Sequence, residues 1–196
     1  MRSLYTSIKI TIAFCIILFC GYVLVLWGIA AIATPNHGEV AVVKKNGITV
    51  GAANIGQKFT SKAYFWSRPS AVDYDSSKSG GSNKGPSNET YLKEVSARTD
   101  QFLKDHPYLS RNEVTSDMVT ASGSGLDPDI SVEGANVQVK RVAMARGLSE
   151  ATVKSILNDN TERPVIGRPI VNVLKLNIAL DYYSKNDKKD SNTEMK

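Results

Sequence analysis

The sequence predicts an α+β protein: one N-terminal transmembrane helix followed by a single extracytoplasmic α+β domain. Three observations carry the prediction. A run of 24 residues, Ile10 to Ala33, holds no charged side chain. Behind it, strand and turn signals come early and capped, helix-periodic segments come late, which suits an α+β domain better than a doubly wound sheet. The whole chain has 196 residues and no internal repeat, enough for one domain of ordinary size beside that run. The organisation expected is a cytoplasmic N-terminus over 1–9, a transmembrane helix over 10–33, a soluble domain over 36–184 and a charged, frayed tail over 185–196.

At about 1.5 Å per residue the apolar run makes a helix roughly 36 Å long, enough to cross a hydrocarbon core of about 30 Å with some tilt. Ala31-Ile32-Ala33 has the small-x-small form of a cleavage site, but a cleaved signal peptide has an apolar region of only about 7–15 residues. Leu18-Phe19-Cys20 places a bulky Phe where a lipoprotein signal wants a small residue. An uncleaved single-pass anchor is the reading that remains. Arg2 and Lys9 precede the span, while Lys44 and Lys45 follow at some distance. Cytoplasmic flanks favour such charges, so the N-terminus is expected inside and residues 36–196 outside. Gly21, Gly28, Ala30 and Ala31 would let a neighbouring helix approach, although no clean GxxxG occurs.

The next elements follow in order. "GEVAVVKKNGITVGAA" reads as a β-hairpin, with Asn46-Gly47 supplying the two positive-φ positions of a type I′ turn. In "KFTSKAYFWSRPSA", Tyr64, Phe65 and Trp66 are consecutive, so a strand would send them to opposite faces. They read as core aromatics, with Arg68 as an ion-pair partner. Asp75 to Glu89 is a polar, Gly-rich loop. Asn88 then caps a helix carrying Leu92, Val95, Phe102 and Leu103 and ended by Pro107. Ser131 caps a second, with Ala135, Val139 and Val142 on one side, Arg146 in its last turn and Gly147 as its stop. Ser149 caps a third, through Val153, Ile156 and Leu157. "RPIVNVLKLNIALDYY" alternates like a strand at Leu174, Leu176, Ile178 and Leu180, yet Val173, Leu176 and Leu180 also suit a helix. A strand passing into a helix is expected there.

Composition narrows the function classes. The net charge is +5. Without Arg2 and Lys9, 22 basic and 19 acidic side chains remain, a mild excess with no basic stripe and interleaved aromatics, so no nucleic-acid partner is expected. Cys15 and Cys20 both lie in the apolar run, which leaves the rest without a disulfide framework or a thiol nucleophile. His37 and His106 are too few for a histidine-rich metal cluster. Gly80 and Gly85 have phosphate-loop spacing, but Pro86 stands where such a loop needs Lys and has no amide to offer.

The loop "ASGSGLDPDIS", Ala121 to Ser131, is the densest polar stretch. Its serines have no G-x-S-x-G frame and no base in a recognisable context. Read as a calcium loop from Asp127, it would need Gly at Val132 and an acid at Gln138. A structural role fits better: Gly123 and Gly125 permit a sharp turn, Asp127-Pro128 sets the next, and Asp129 and Glu133 suit the positive end of the helix capped by Ser131.

Five ordered stretches, "YFWSRPSA", "SGGSNKGPSN", "VTASGSGLDPDIS", "QVKRVAMARGLS" and "GRPIVNVLKLNIALD", together with one N-terminal span, resemble the C subunit of the bacterial high-affinity potassium-transporting P-type ATPase complex, the Kdp system. The resemblance covers nearly the whole chain. Asp129 stands where many members have His, and Thr115-Ser116 replaces the proline usual before "DMVTASGSG". The resemblance implies a non-catalytic accessory subunit in the bacterial plasma membrane, with no catalytic or metal residues of its own. It would be needed for assembly and act as a catalytic chaperone raising the ATP affinity of the hydrolysing subunit. Implied partners are a potassium-channel-like subunit, the P-type ATPase subunit, a small single-span subunit and the lipid bilayer. ATP would be bound only jointly with the hydrolysing subunit. Residues expected at a partner interface are Arg68, Asn83, Ser122, Asp127, Asp129, Gln138, Arg141 and Arg146. Two other classes stay open, a membrane-anchored extracytoplasmic hydrolase and a solute-binding module.

Overall fold

A computed structural model describes residues 2–193, with the side chains of Pro35 and of residues 185–193 outside the description. The chain divides into two compact units, Met1–Ala41 and Val42–Lys196. In the first, helix α1 runs Arg2–Ala33, 32 residues with a mean hydropathy of 2.6 in its most apolar stretch. It is long and apolar enough to cross a membrane, and it starts eight residues before the uncharged run. Thr6 and Ser7 donate their hydroxyls to the carbonyls of Arg2 and Ser3, and the Lys9 ammonium sits 4.2 Å from the centre of the Tyr5 ring. The middle of α1, Ile17–Tyr22, winds as a π-helix, a local widening of the kind seen as a bulge inside longer helices. The helix stops after Ala33, where Asn36, His37 and Gly38 all take positive φ.

The second unit begins with the hairpin β1 (Val42–Lys45) and β2 (Ile48–Ala52), antiparallel with Lys45 opposite Ile48. Asn46 and Gly47 have φ of 52° and 81°, the conformation a type I′ turn demands. Helix α2 spans Glu89–Asp105, and the Asn88 carboxamide accepts the Tyr91 N–H as its cap. Its inward residues are Thr99 and Phe102. Leu92, expected on that stripe, is 52% exposed, one turn too far from the core to be covered.

A three-stranded antiparallel sheet has the order β3 (Asp129–Ser131), β5 (Ile170–Asn172), β4 (Thr161–Glu162). Three helices pack with it: α4 (Val139–Arg146), α5 (Glu150–Asp159) and α6 (Val173–Thr193). Ser131 and Ser149 cap as expected, and Gly147 ends α4 at φ 68°. The core joins Ile130 and Val171 from the sheet to Val139, Val142, Val153, Leu157, Val173, Leu176 and Leu180, with Phe65, Phe102 and Met118 closing it.

The helix expected to run unbroken from its Ser131 cap to Gly147 is two helices, α3 (Val132–Asn136) and α4. The cause is a side chain. The Tyr108 hydroxyl donates to the Val137 carbonyl at 3.0 Å and accepts the Arg141 N–H at 3.1 Å. It thus occupies the place of the backbone bond that an unbroken helix would form between those residues. In the last segment the strand does pass into a helix, but earlier than the alternating leucines suggest. From Val173 to Leu180 only Lys175 is exposed and Ala179 half-buried, so α6 is covered nearly all round and leaves little period to read. Of the tail expected to fray, residues 194–196 lie outside the described residues.

Candidate functional site

Residues 62–66 have no strand partner, yet their backbone is almost fully bonded, and side chains do the bonding. Asn177 of α6 accepts the Phe65 N–H at 2.8 Å and donates to the Phe65 carbonyl at 3.0 Å. Gln138 accepts the Trp66 N–H at 2.8 Å and donates to the Trp66 carbonyl at 3.3 Å. Two buried amides thereby imitate a neighbouring strand. Arg141 takes the carbonyls of Lys62 at 2.5 Å and Tyr64 at 3.0 Å, and Arg146 takes that of Ala63 at 2.6 Å. The accounting that buried backbone polar groups require is met from α4, its preceding turn and α6.

Each clamp residue is itself held. Arg141, 4% exposed, donates its Nε to His106 Nε2 at 2.9 Å and an Nη to Gln138 Oε1 at 2.8 Å, and lies 3.9 Å from the Trp66 ring centre. Burial lowers its pKa to about 10, so it stays a cation at neutral pH. His106 stacks on Phe102 with ring centres 4.0 Å apart, and its Nδ1 meets the Phe102 carbonyl at 2.8 Å. With Nδ1 donating, Nε2 is the acceptor that Arg141 needs. Burial pushes its pKa down to about 4, the Arg141 charge acting in the same direction. Arg146 reaches Asp181 at 2.8 Å, and Asp181 also accepts from Lys45 at 2.6 Å and Tyr64 at 3.0 Å. Although burial opposes it, these donors hold the Asp181 carboxyl below its usual range.

Next to the clamp, two loops zip together. Arg68 pairs with Asp127 at 3.0 Å, and the other Asp127 oxygen accepts the Asp129 N–H. Ser70 Oγ donates to the Gly125 carbonyl at 2.6 Å, Ser122 N–H to Pro69 at 3.2 Å and Gly80 N–H to Ser124 at 2.8 Å. Tyr74 closes the Arg68 end by donating to the Arg68 carbonyl. Gly125 is required here. Its φ is +68°, and a Cβ would stand 2.6 Å from Val72 Cγ2 and 2.8 Å from the Gly80 carbonyl. Asn83, Gly123 and Ser124 remain exposed along the outer edge. Asp129 is half-buried, and burial together with the nearby Asp127 and Glu162 charges raises its pKa.

The structure thus places the eight expected interface residues in two adjoining groups, with Asn83 at the exposed edge of the second. Gln138, Arg141 and Arg146 point inward and bond within the domain. Arg68, Ser122, Asp127 and Asp129 organise the loop layer. Asn83 is exposed, two residues beyond Gly81, which abuts Gly123. Gln138, Arg141 and Arg146, expected at a partner interface, spend their polar groups on bonds within the domain. Sequence reasoning missed Asn177, Asp181, His106 and Tyr108. The amide of Asn177 in the apolar run "VLKLNIAL" was the available signal, since a polar group buried among leucines needs a partner. Neither serine of the glycine loop meets a histidine, because His106 faces Phe102 and Arg141. Among the described residues no cluster of three or more His, Cys, Asp or Glu could hold a metal.

Residues 4–182 match the family described as KdpC, K+-transporting ATPase, c chain. The chain is 55% identical to the potassium-transporting ATPase KdpC subunit of Phocaeicola vulgatus over 186 residues, 92% of this chain and 98% of that one. The subunit of the same name from Bacteroides thetaiotaomicron is 54% identical with the same coverage, and that of Flavobacterium johnsoniae 52% over 182 residues, 92% of this chain and 98% of its own. The matched span contains the whole clamp and both zipped loops.

Proposed function

The chain belongs to the KdpC family, the c chain of K+-transporting ATPases, and we propose that it serves such a pump as a non-catalytic assembly subunit that raises the ATP affinity of the hydrolysing subunit. The observation that carries this reading is the use the domain makes of its polar side chains. Gln138, Arg141, Arg146, Asn177 and Asp181 all bond inside the chain, which yields a rigid scaffold with an exposed loop edge at Asn83, Gly123 and Ser124. A rigid edge suits docking, whereas catalysis calls for a reactive group left free to meet a substrate.

Its partners are a potassium-channel-like subunit, the P-type ATPase subunit and a small single-span subunit. α1 anchors it once in the plasma membrane. Arg2 and Lys9 ahead of the span favour an N-terminus in the cytoplasm and a domain outside. From there the domain packs over the outer mouth of the channel subunit. Its effect on a cytoplasmic ATP site is then a coupling through the membrane subunits, and ATP is bound only by the assembled pump.

Tagged purification from potassium-starved membranes in mild detergent tests the assembly role. Equal amounts of a channel-like subunit and a P-type ATPase are expected with the tagged chain. A monodisperse single chain, with the partners expressed but absent, would sink it. Cysteines at Ser82 or Ser124, with Cys15 and Cys20 replaced, should cross-link to the channel subunit; cross-links only to the cytoplasmic ATPase domain would reverse the topology.

A further inference from the structure

The seven residues between β4 and β5, Arg163 to Pro169, join neither the clamp nor the zipped loops. The strands beneath them are in register, with Glu162 opposite Ile170. At the tip Val165 is 103% exposed and Ile166 91%, values that leave almost no intramolecular contact. A protein seldom presents two adjacent aliphatics in this way without a use for them. Pro164 and Pro169 stiffen the loop, and Gly167 turns it at φ +117°. Arg163 and Arg168 flank the pair and are exposed. Among the described residues neither is salt-bridged, whereas the adjacent acid, Glu162, is paired with Lys175 at 2.8 Å.

We infer that this loop is a bilayer-contacting tip, in which Val165 and Ile166 enter the interfacial zone of an anionic membrane while Arg163 and Arg168 meet lipid phosphates. Three arguments favour lipid over a protein partner. Two side chains are far smaller than the roughly 800 Å² per partner that a stable protein interface covers. An apolar wedge between cations matches the layering of acyl chain under anionic headgroup. The chain's own apolar helix also tethers the tip to within roughly 65 Å of a bilayer. Only eight residues separate Ala33 from Val42, which limits their separation to about 30 Å. Val42 pairs with Ala52, and the Asn172 carboxamide donates to the neighbouring Ala53 carbonyl at 2.7 Å. Ile166 lies six residues before Asn172, hence within about 20 Å of it. The inference holds for either face of the membrane and so stands apart from the proposed topology.

Nitroxide accessibility in the assembled complex tests it. With Cys15 and Cys20 replaced by Ala, a label is attached at Ile166→Cys, at Val165→Cys as a second tip site, and at Ser155→Cys on the exposed side of α5. The complex is placed in lipid discs of phosphatidylcholine with about one-third phosphatidylglycerol. At both tip sites the ratio of collisions with oxygen to collisions with a water-soluble nickel chelate should exceed that at Ser155→Cys by about threefold or more. The excess should shrink when Arg163→Gln and Arg168→Gln are added or when the anionic lipid is omitted. Equal access of the chelate to tip and control would overturn the inference. Exclusion of both relaxants at the tip would also overturn it, by showing that a protein partner covers the loop. An unchanged ratio in the arginine variant would remove the headgroup contact.

Discussion

His106 carries a pH dependence whose sign follows from its neighbours. Its Nε2 accepts from Arg141 and its Nδ1 donates to Phe102, so the ring must be neutral in the fold. Protonation would turn one N–H against another and add a second buried cation. The folded pKa is about 4 against an ordinary 6.5. As pH falls through 6.5 the unfolded chain takes up a proton that the folded chain refuses until about pH 4. The contribution of His106 is therefore complete above pH 6.5 and is lost between 6.5 and 4, by roughly 3 kcal/mol. Chemical denaturation at pH 7.5 and pH 5 should show that loss. His106→Gln, which can still accept from Arg141, should flatten the profile across that window. An equally steep profile in the variant would assign the dependence to other groups, such as Asp181, whose carboxyl is lowered and so titrates at the acid end.

Among the elements, the ones legible in the sequence are those decided within a few residues. The hairpin at Asn46-Gly47, the caps at Asn88, Ser131 and Ser149 and the stop at Gly147 depend on local φ and local hydrogen bonds, so residue type suffices to place them. The elements that departed from expectation depend on residues far along the chain. α3 and α4 are parted by a tyrosine 29 residues before Val137. Phe65 and Trp66 are held without a strand partner because amides of Asn177 and Gln138, 112 and 72 positions away, bond their backbone. The candidate site was half legible for the same reason: polar residues in unusual stretches could be picked out, but whether they face inward is decided by packing. Two predictions belong here. Tyr108→Phe removes the hydroxyl that serves both Val137 and Arg141, and should cost about 1–3 kcal/mol in denaturant unfolding. A change below about 0.3 kcal/mol would mean that the helix closes the gap with its own backbone bond. Gly125→Val should lower the melting temperature by several degrees, since a left-handed non-glycine costs about 1–3 kcal/mol before its clash with Val72 and Gly80 is counted. Gly123→Ala, where a Cβ meets nothing within 4 Å, is the matched control and should melt as the parent does.

Taken whole, the chain divides into a unit built on a long apolar helix and a second compact unit with its own core. The hydrophobic core runs from Phe65 to Leu180, all within the second unit. That core is drawn from the second unit, so a chain beginning at Val42 should fold alone and melt cooperatively within about 4 °C of the full chain in detergent. Broad, non-cooperative melting would show that α1 contributes to the domain's stability after all. The truncated domain also separates tethering from docking. If the proposed assembly role is right, α1 confines the domain beside its pump and raises its effective concentration there. The loop edge at Asn83, Gly123 and Ser124 then needs only modest affinity of its own. Removing α1 should weaken association by about 10²- to 10⁴-fold without altering the contact itself. Adding the soluble domain to a pump that lacks this subunit should restore tight ATP use only at concentrations higher by that factor. Rescue at equimolar concentration would place the binding energy in the domain alone. Absence of rescue at any concentration, from a domain shown to be folded, would place it in α1 and in the helices that meet Gly21, Gly28 and their small neighbours within the membrane.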